Sequence, residues 1–128
     1  MPLADPPDLS APFTLVIPNH CDIMGSCSTG SLVTNGDTWL SAELPKLLDS
    51  SQYRAGGTAI FLTWDEDDYS DSQHVATLVI APSTPTGARD GTRYDHYALL
   101  RTAEEMLGLP TTLGSAATAP SMRGGFNL

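Results

Sequence analysis

Basic residues are scarce in this chain. Six Lys and Arg stand against 15 Asp and Glu, a formal net charge of -9 over 128 residues. A surface this acidic repels phosphate backbones, which argues against nucleic-acid binding through a basic patch. It favours cations, metal ions among them. Long apolar runs are missing too, and no stretch approaches the roughly 18 apolar residues of a spanning helix. A mean hydropathy of -0.10, with 41% hydrophobic and 16% charged residues, excludes both a disordered chain and a membrane protein. Met1 leads into Pro2, Leu3, Ala4 and Asp5 with neither a basic start nor an apolar core, so no signal peptide is expected here. There is no G-x-S-x-G nucleophile elbow, no phosphate-loop signature, no dinucleotide fingerprint and no internal repeat. Cysteine is limited to Cys21 and Cys27. A thioredoxin-type pair is excluded by the spacing, and a zinc site would need ligands from elsewhere. A disulfide, as in an exported protein, and two free thiols, as in a cytoplasmic one, both remain open.

The length sets an expectation of one domain with one modest core. Residues 1–12 hold four prolines and read as an extended lead-in. Phe13 to Ile17 is a short apolar run ended by Pro18, which predicts a buried strand. Residues 18–36 read as a long polar loop. Asp37 is a fair N-cap for a helix from Thr38 towards Leu48, with Trp39, Leu40, Leu44, Leu47 and Leu48 at helical spacing. Pro45 is expected to kink or split that helix. Thr58 to Trp64 and Val75 to Ala81 read as two further buried strands. Asp95 can cap a helix from His96 to Leu107 with an apolar stripe of Tyr97, Leu100, Ala103, Met106 and Leu107, stopped at Gly108. Residues 111–128 read as an irregular tail. Strands alternating with helices predict an α/β layered domain with a largely parallel sheet.

Three short segments could carry chemistry. Asp65-Glu66-Asp67-Asp68 follows a predicted strand, where ligands bind in α/β sheets, and its carboxylates are hard oxygen donors suited to divalent cations. A solvated acidic turn is the plain alternative. An EF-hand is a poor match, because Tyr69 and Ser70 stand where an oxygen ligand and a glycine belong. His96 follows Asp95 at a helix N-terminus, which favours anions and a neutral, ligand-competent imidazole. A cap followed by a surface histidine is the alternative there. Asn19 and Asp22 flank His20 and Cys21 at the end of the first predicted strand and could converge on a ligand, or simply build a turn.

Taken together, several segments resemble motifs of the bacterial phosphoesterase family, which includes acid phosphatases and phospholipase C enzymes and is related to the alkaline phosphatase superfamily. They are Phe13-x-x-Val16-x-Pro18-Asn19, Gly36-Asp37-x-Trp39-Leu40, Phe61-x-Thr63-Trp64-Asp65-Glu66-Asp67-Asp68, Val75 to Pro82, Asp95-His96-Tyr97-x-Leu99-Leu100-Arg101-Thr102 and Glu104 to Pro110. The resemblance runs in order through nearly the whole chain and corresponds to the C-terminal part of such an enzyme. It implies an N-terminal half, carrying an acidic-Asn metal motif and the hydroxyl nucleophile, that these residues do not contain. A truncated product, a fragment or a late start codon is the expectation.

The resemblance implies a three-layer α/β sandwich of the alkaline phosphatase type. It implies metal-dependent hydrolysis of a small-molecule or lipid phosphoric ester, with an acid phosphatase-like monoesterase ahead of a phospholipase C-type diesterase. Asp65 and Glu66 would be ligands of a divalent metal ion, His96 a metal or phosphate ligand, and Asp95 its orienting partner or the helix cap. Asn19 and Asp22 would bind ligand, and Cys21 and Cys27 would form a disulfide, since the family is typically secreted. One departure stands out. The family carries an Asp-Met-His-Asp run ahead of its second cysteine, and Ile23, Met24, Gly25 and Ser26 occupy that place. A non-catalytic remnant is therefore the rival expectation. A serine esterase using His96 and an Asp is a third, without an elbow to support it.

Overall fold

The computed structural model describes residues 2–128. They divide into two compact units, residues 2–57 and Thr58–Leu128.

In the first unit residues 2–18 form no helix or strand and bend at residues 5–6 and 11–12, with a cis bond between Asp5 and Pro6. Phe13–Ile17 is not a strand of any sheet, and Phe13, Leu15 and Ile17 are 60%, 69% and 73% exposed. The buried strand expected here is thus corrected. An extended run cannot satisfy its own backbone groups, and among the described residues no sheet edge pairs with it.

Helix α1 spans Leu32–Asp49, with Ser31 as N-cap. It starts a turn and a half before the expected Thr38. Gly36 is a point of close approach on this helix. A Cβ there would overlap the side chain of Met24 and crowd the Asp22 carbonyl, so the missing side chain lets these two residues lie against the helix. Pro45 lies inside α1 without splitting it. Ser50 then joins α1 to the short α2, Ser51–Arg54. Its hydroxyl donates to the Leu47 carbonyl at 2.6 Å and accepts from the Tyr53 N–H at 3.2 Å.

The second unit contains the strands β1 (Ile60–Thr63) and β2 (Thr77–Ile80), paired antiparallel with Ile60 opposite Ile80 and Thr63 opposite Thr77. The expectation of a largely parallel, three-layer α/β sandwich is contradicted. Two strands form among the described residues, and residues 64–76 between them contain no helix. Parallel strands need a crossover, usually helical, whereas a plain return loop brings the chain back antiparallel.

Helix α3 spans His96–Met106 with Asp95 as N-cap. Gly108, at φ +66°, ends it, and the Leu109 N–H reaches back to the Glu104 carbonyl at 3.0 Å. Its buried face is Ala98, Thr102 and Glu104, not the predicted stripe; Tyr97 is 49% exposed and Met106 39%. The C-terminal residues decide this. They are not irregular throughout: a 3-10 turn at Gly114–Thr118 and helix α4, Arg123–Phe126, buries Ala116 and Met122. Thr84 Oγ1 donates to the Phe126 carbonyl at 2.7 Å, and Asn127 Nδ2 donates to the Ser83 carbonyl at 2.8 Å. The tail is therefore tied to the loop after β2.

Candidate functional site

The acidic segment begins just after β1. Asp65 and Glu66 are exposed. Glu66 Oε2 accepts from the Tyr69 hydroxyl at 2.6 Å, and that carboxylate raises the phenol's pKa by favouring its protonated form. Asp67 organises the loop. Its Oδ1 accepts from Tyr69 N–H at 2.7 Å and from Gln73 Nε2 at 3.0 Å. Its Oδ2 accepts from Gln73 N–H at 2.9 Å and Asp71 N–H at 3.2 Å. These four donors hold a loop in which Tyr69, Ser72 and Gln73 all adopt left-handed φ near 60°, a conformation costly for residues other than Gly and Asn. Asp68 accepts from Ser70 N–H and its hydroxyl, which lowers its pKa. Asp67 was not singled out among the acidic residues. The cue was its neighbourhood, Tyr69 to Gln73, where polar turn-formers supply the donors a carboxylate can gather.

The second part of this site is the start of α3. Asp95 Oδ1 accepts from the Ala98 N–H at 2.9 Å, so its carboxylate caps the helix. His96 is exposed, and its Nε2 lies 2.8 Å from the Asp65 carbonyl oxygen. The fold thus brings together His96 and Asp65, 31 positions apart, through a backbone group. Near this cluster, Tyr94 donates its hydroxyl to Asp90 Oδ2 at 2.7 Å. That bond, with the Thr92 N–H, lowers the Asp90 pKa, while burial first and Asp90 second raise that of Tyr94.

In the first unit Asn19 and Asp22 meet each other. Asn19 Nδ2 donates to Asp22 Oδ2 at 2.8 Å, and Asn19 Oδ1 accepts from the backbone N–H groups of Cys21 and Asp22 at 3.0 and 3.1 Å. This is an Asx turn. Cys21 and Cys27 are joined by a disulfide. A cavity of about 370 Å³ lies beside it, with Asp22, Trp39 and Glu43 in its wall. The Lys46 ammonium, then the Leu3 N–H, hold the Glu43 pKa below its usual range, and the Lys46 charge offsets that of the carboxylate. The buried Trp39 Nε1 has no partner among the described residues.

The predicted metal ligands do not form a metal centre by themselves. Among the described residues no group of three or more His, Cys, Asp and Glu side chains is placed to hold an ion. Glu66 is engaged by Tyr69, and the one ring nitrogen of His96 near Asp65 faces a carbonyl.

Two curated proteins are similar to this chain. A phosphatidylinositol-3-phosphatase of Mycobacterium tuberculosis is 32% identical over 107 residues, covering 84% of this chain and 33% of that protein. An acid phosphatase of Aspergillus fumigatus is 32% identical over 83 residues, covering 62% of this chain and 18% of that protein. The chain is thus similar to phosphatases and spans a third or less of the curated relatives it matches. A match of 107 residues within 128 necessarily takes in residues 22–107, and with them the loop after β1 and the start of α3. No protein-family model matches the chain, and no solved structure matches it.

Proposed function

We propose that these residues form part of an enzyme that hydrolyses phosphoric esters, with a phosphomonoester as substrate ahead of a diester. The similarity to two named phosphatases supports the reaction class. A phosphorylated inositol lipid is one substrate this similarity suggests. The observation that carries the reading to particular residues is the tether of His96 to the Asp65 carbonyl, which fixes an exposed imidazole at the junction of β1 and α3. In this reading Asp95 holds the start of α3, Asp67 holds the loop, and His96 meets the phosphoryl group. The donor set does not fit a metal ion unaided, so no step is assigned to one. The Cys21–Cys27 disulfide supports maturation in an oxidising compartment.

The test is hydrolysis of p-nitrophenyl phosphate and its diester by the protein as its own source produces it. Turnover of the monoester is expected, with a loss of about 100-fold or more in His96→Ala, the scale seen when one transition-state donor is removed. Undiminished turnover in that variant, or none by the wild type, would sink the reading.

A non-catalytic role is the second reading, and Ile23 and Gly25 favour it. They stand where the resemblance calls for an aspartate and a histidine, and Met24 between them packs on Gly36. Wild-type protein that binds orthophosphate but hydrolyses neither ester would support this alternative.

A further inference from the structure

A carbonyl oxygen has lone pairs and no proton. The 2.8 Å contact between His96 Nε2 and the Asp65 carbonyl is therefore a hydrogen bond only when Nε2 carries the proton and donates it. We propose that this bond fixes the tautomer of His96 and makes Nδ1 the nitrogen that meets a phosphoryl oxygen, with Asp65 acting as a positioning residue through its backbone. The substrate part rests on the phosphoesterase reading; the tautomer does not.

Both ends of the bond are anchored independently. Asp65 follows β1, whose last residue, Thr63, shares a 2.8 Å hydroxyl contact with Thr77 across the sheet. His96 follows Asp95, whose carboxylate caps α3 at 2.9 Å. Ring position is thus set by a strand end and a helix start. A histidine that works through one nitrogen commonly donates the other to a carbonyl or carboxylate, which fixes its tautomer and its aim. His74 makes a useful contrast. Its Nδ1 contacts the Asp71 carboxylate three residues away, with both side chains at least 75% exposed, so nothing beyond one turn holds it.

With Nε2 committed, Nδ1 carries the ring's lone pair and lies on an exposed residue. It accepts from a phosphoryl oxygen that bears a proton, and donates to one when the ring is charged. No bond to phosphorus forms in either case.

Two experiments test this. In the ¹⁵N-labelled 128-residue chain, at a pH where the ring is neutral, long-range ¹H–¹⁵N correlations report which nitrogen is protonated. The His96→Gln spectrum identifies the signals that belong to His96. A single tautomer with the proton on Nε2 is expected. A proton on Nδ1, or the mixture of an untethered imidazole, would overturn the proposal. The second experiment uses the protein as its source produces it, with p-nitrophenyl phosphate and with thermal melts to show that the variants fold. An asparagine amide nitrogen sits near the place of Nδ1, and a glutamine one near that of Nε2. His96→Asn is expected to keep at least about tenfold more kcat than His96→Gln, within the span of general acid-base effects. Equal losses, or the reverse order, count against Nδ1. Absence of wild-type turnover would remove the phosphoesterase reading and the substrate role with it, while the correlations still decide the tautomer.

Discussion

Thr102 has no exposed surface, and its hydroxyl is used twice. It donates to the Ala98 carbonyl at 2.7 Å and accepts from the Met122 N–H at 2.9 Å. The second bond joins α3 to the tail. Thr102→Val keeps the shape and strands a buried N–H, which costs about 1–3 kcal/mol. Thr102→Ser keeps both bonds and should cost less. Urea unfolding of the two variants checks this, and equal costs would show that the methyl group matters as much as the hydroxyl. Thr102 was invisible in the sequence because a hydrophobic stripe marks apolar positions, and this buried position is polar. Glu104, also buried, is hidden for the same reason; its Oε1 accepts from the Leu113 N–H at 2.9 Å. Asp95 and Gly108, by contrast, act through backbone geometry within a turn, so local sequence reveals them.

At the scale of elements, the loop 64–76 depends on one carboxylate. Asp67→Ala removes the acceptor of four donors. Hydrogen exchange at Tyr69, Asp71 and Gln73 should become faster while α3 keeps its protection. Unchanged exchange at those amides would show that the left-handed turns hold without Asp67. The same loop predicts weak metal binding. Asp65 and Glu66 lie outside any cluster of three ligands among the described residues. Calorimetry with Mg²⁺, Ca²⁺ or Zn²⁺ on the 128-residue chain should show no sub-micromolar affinity at these carboxylates. Such an affinity, abolished by Asp65→Ala with Glu66→Ala, would contradict this. The spans of β1, β2 and α3 were readable from apolar runs and caps. The direction of β1 against β2 was not, because pairing is set by what lies between strands and by which edges meet. Phe13–Ile17 shows the same limit: apolar character marks a segment that could pair, and pairing needs a partner.

For the chain as a whole, several carboxylates are stabilised in their charged form by folding. Glu105 is held below its ordinary pKa by the Ser121 hydroxyl and then by Arg101, Glu43 by Lys46 and then the Leu3 N–H, and Asp90 by Tyr94 and then the Thr92 N–H. A lowered folded pKa contributes stability that is full above the unfolded value and lost as pH falls through the folded one. Ordinary values are about 4.3 for Glu and 3.9 for Asp. The melting temperature should therefore be nearly level from about pH 7 to 5 and fall below about pH 4. A flat profile to pH 3 would mean these bonds contribute little.

The whole-molecule question is whether these 128 residues alone turn over an ester. Phosphoryl transfer needs a positioned, activated nucleophile and donors for the charge that develops. Among the described residues no serine or threonine hydroxyl is hydrogen-bonded to a histidine; the two histidine ring contacts go to Asp71 and to the Asp65 carbonyl. Ile23 and Gly25 break the run that the phosphoesterase resemblance calls for. The acidic residues around His96 also repel a phosphate dianion, and no cluster of ligands gathers a cation to offset them. The purified 128-residue chain should thus show no hydrolysis of p-nitrophenyl phosphate or its diester above background from acid to neutral pH, with divalent metals added. The decisive contrary result is turnover that disappears in His96→Ala. A hydroxyl within these residues would then be the nucleophile.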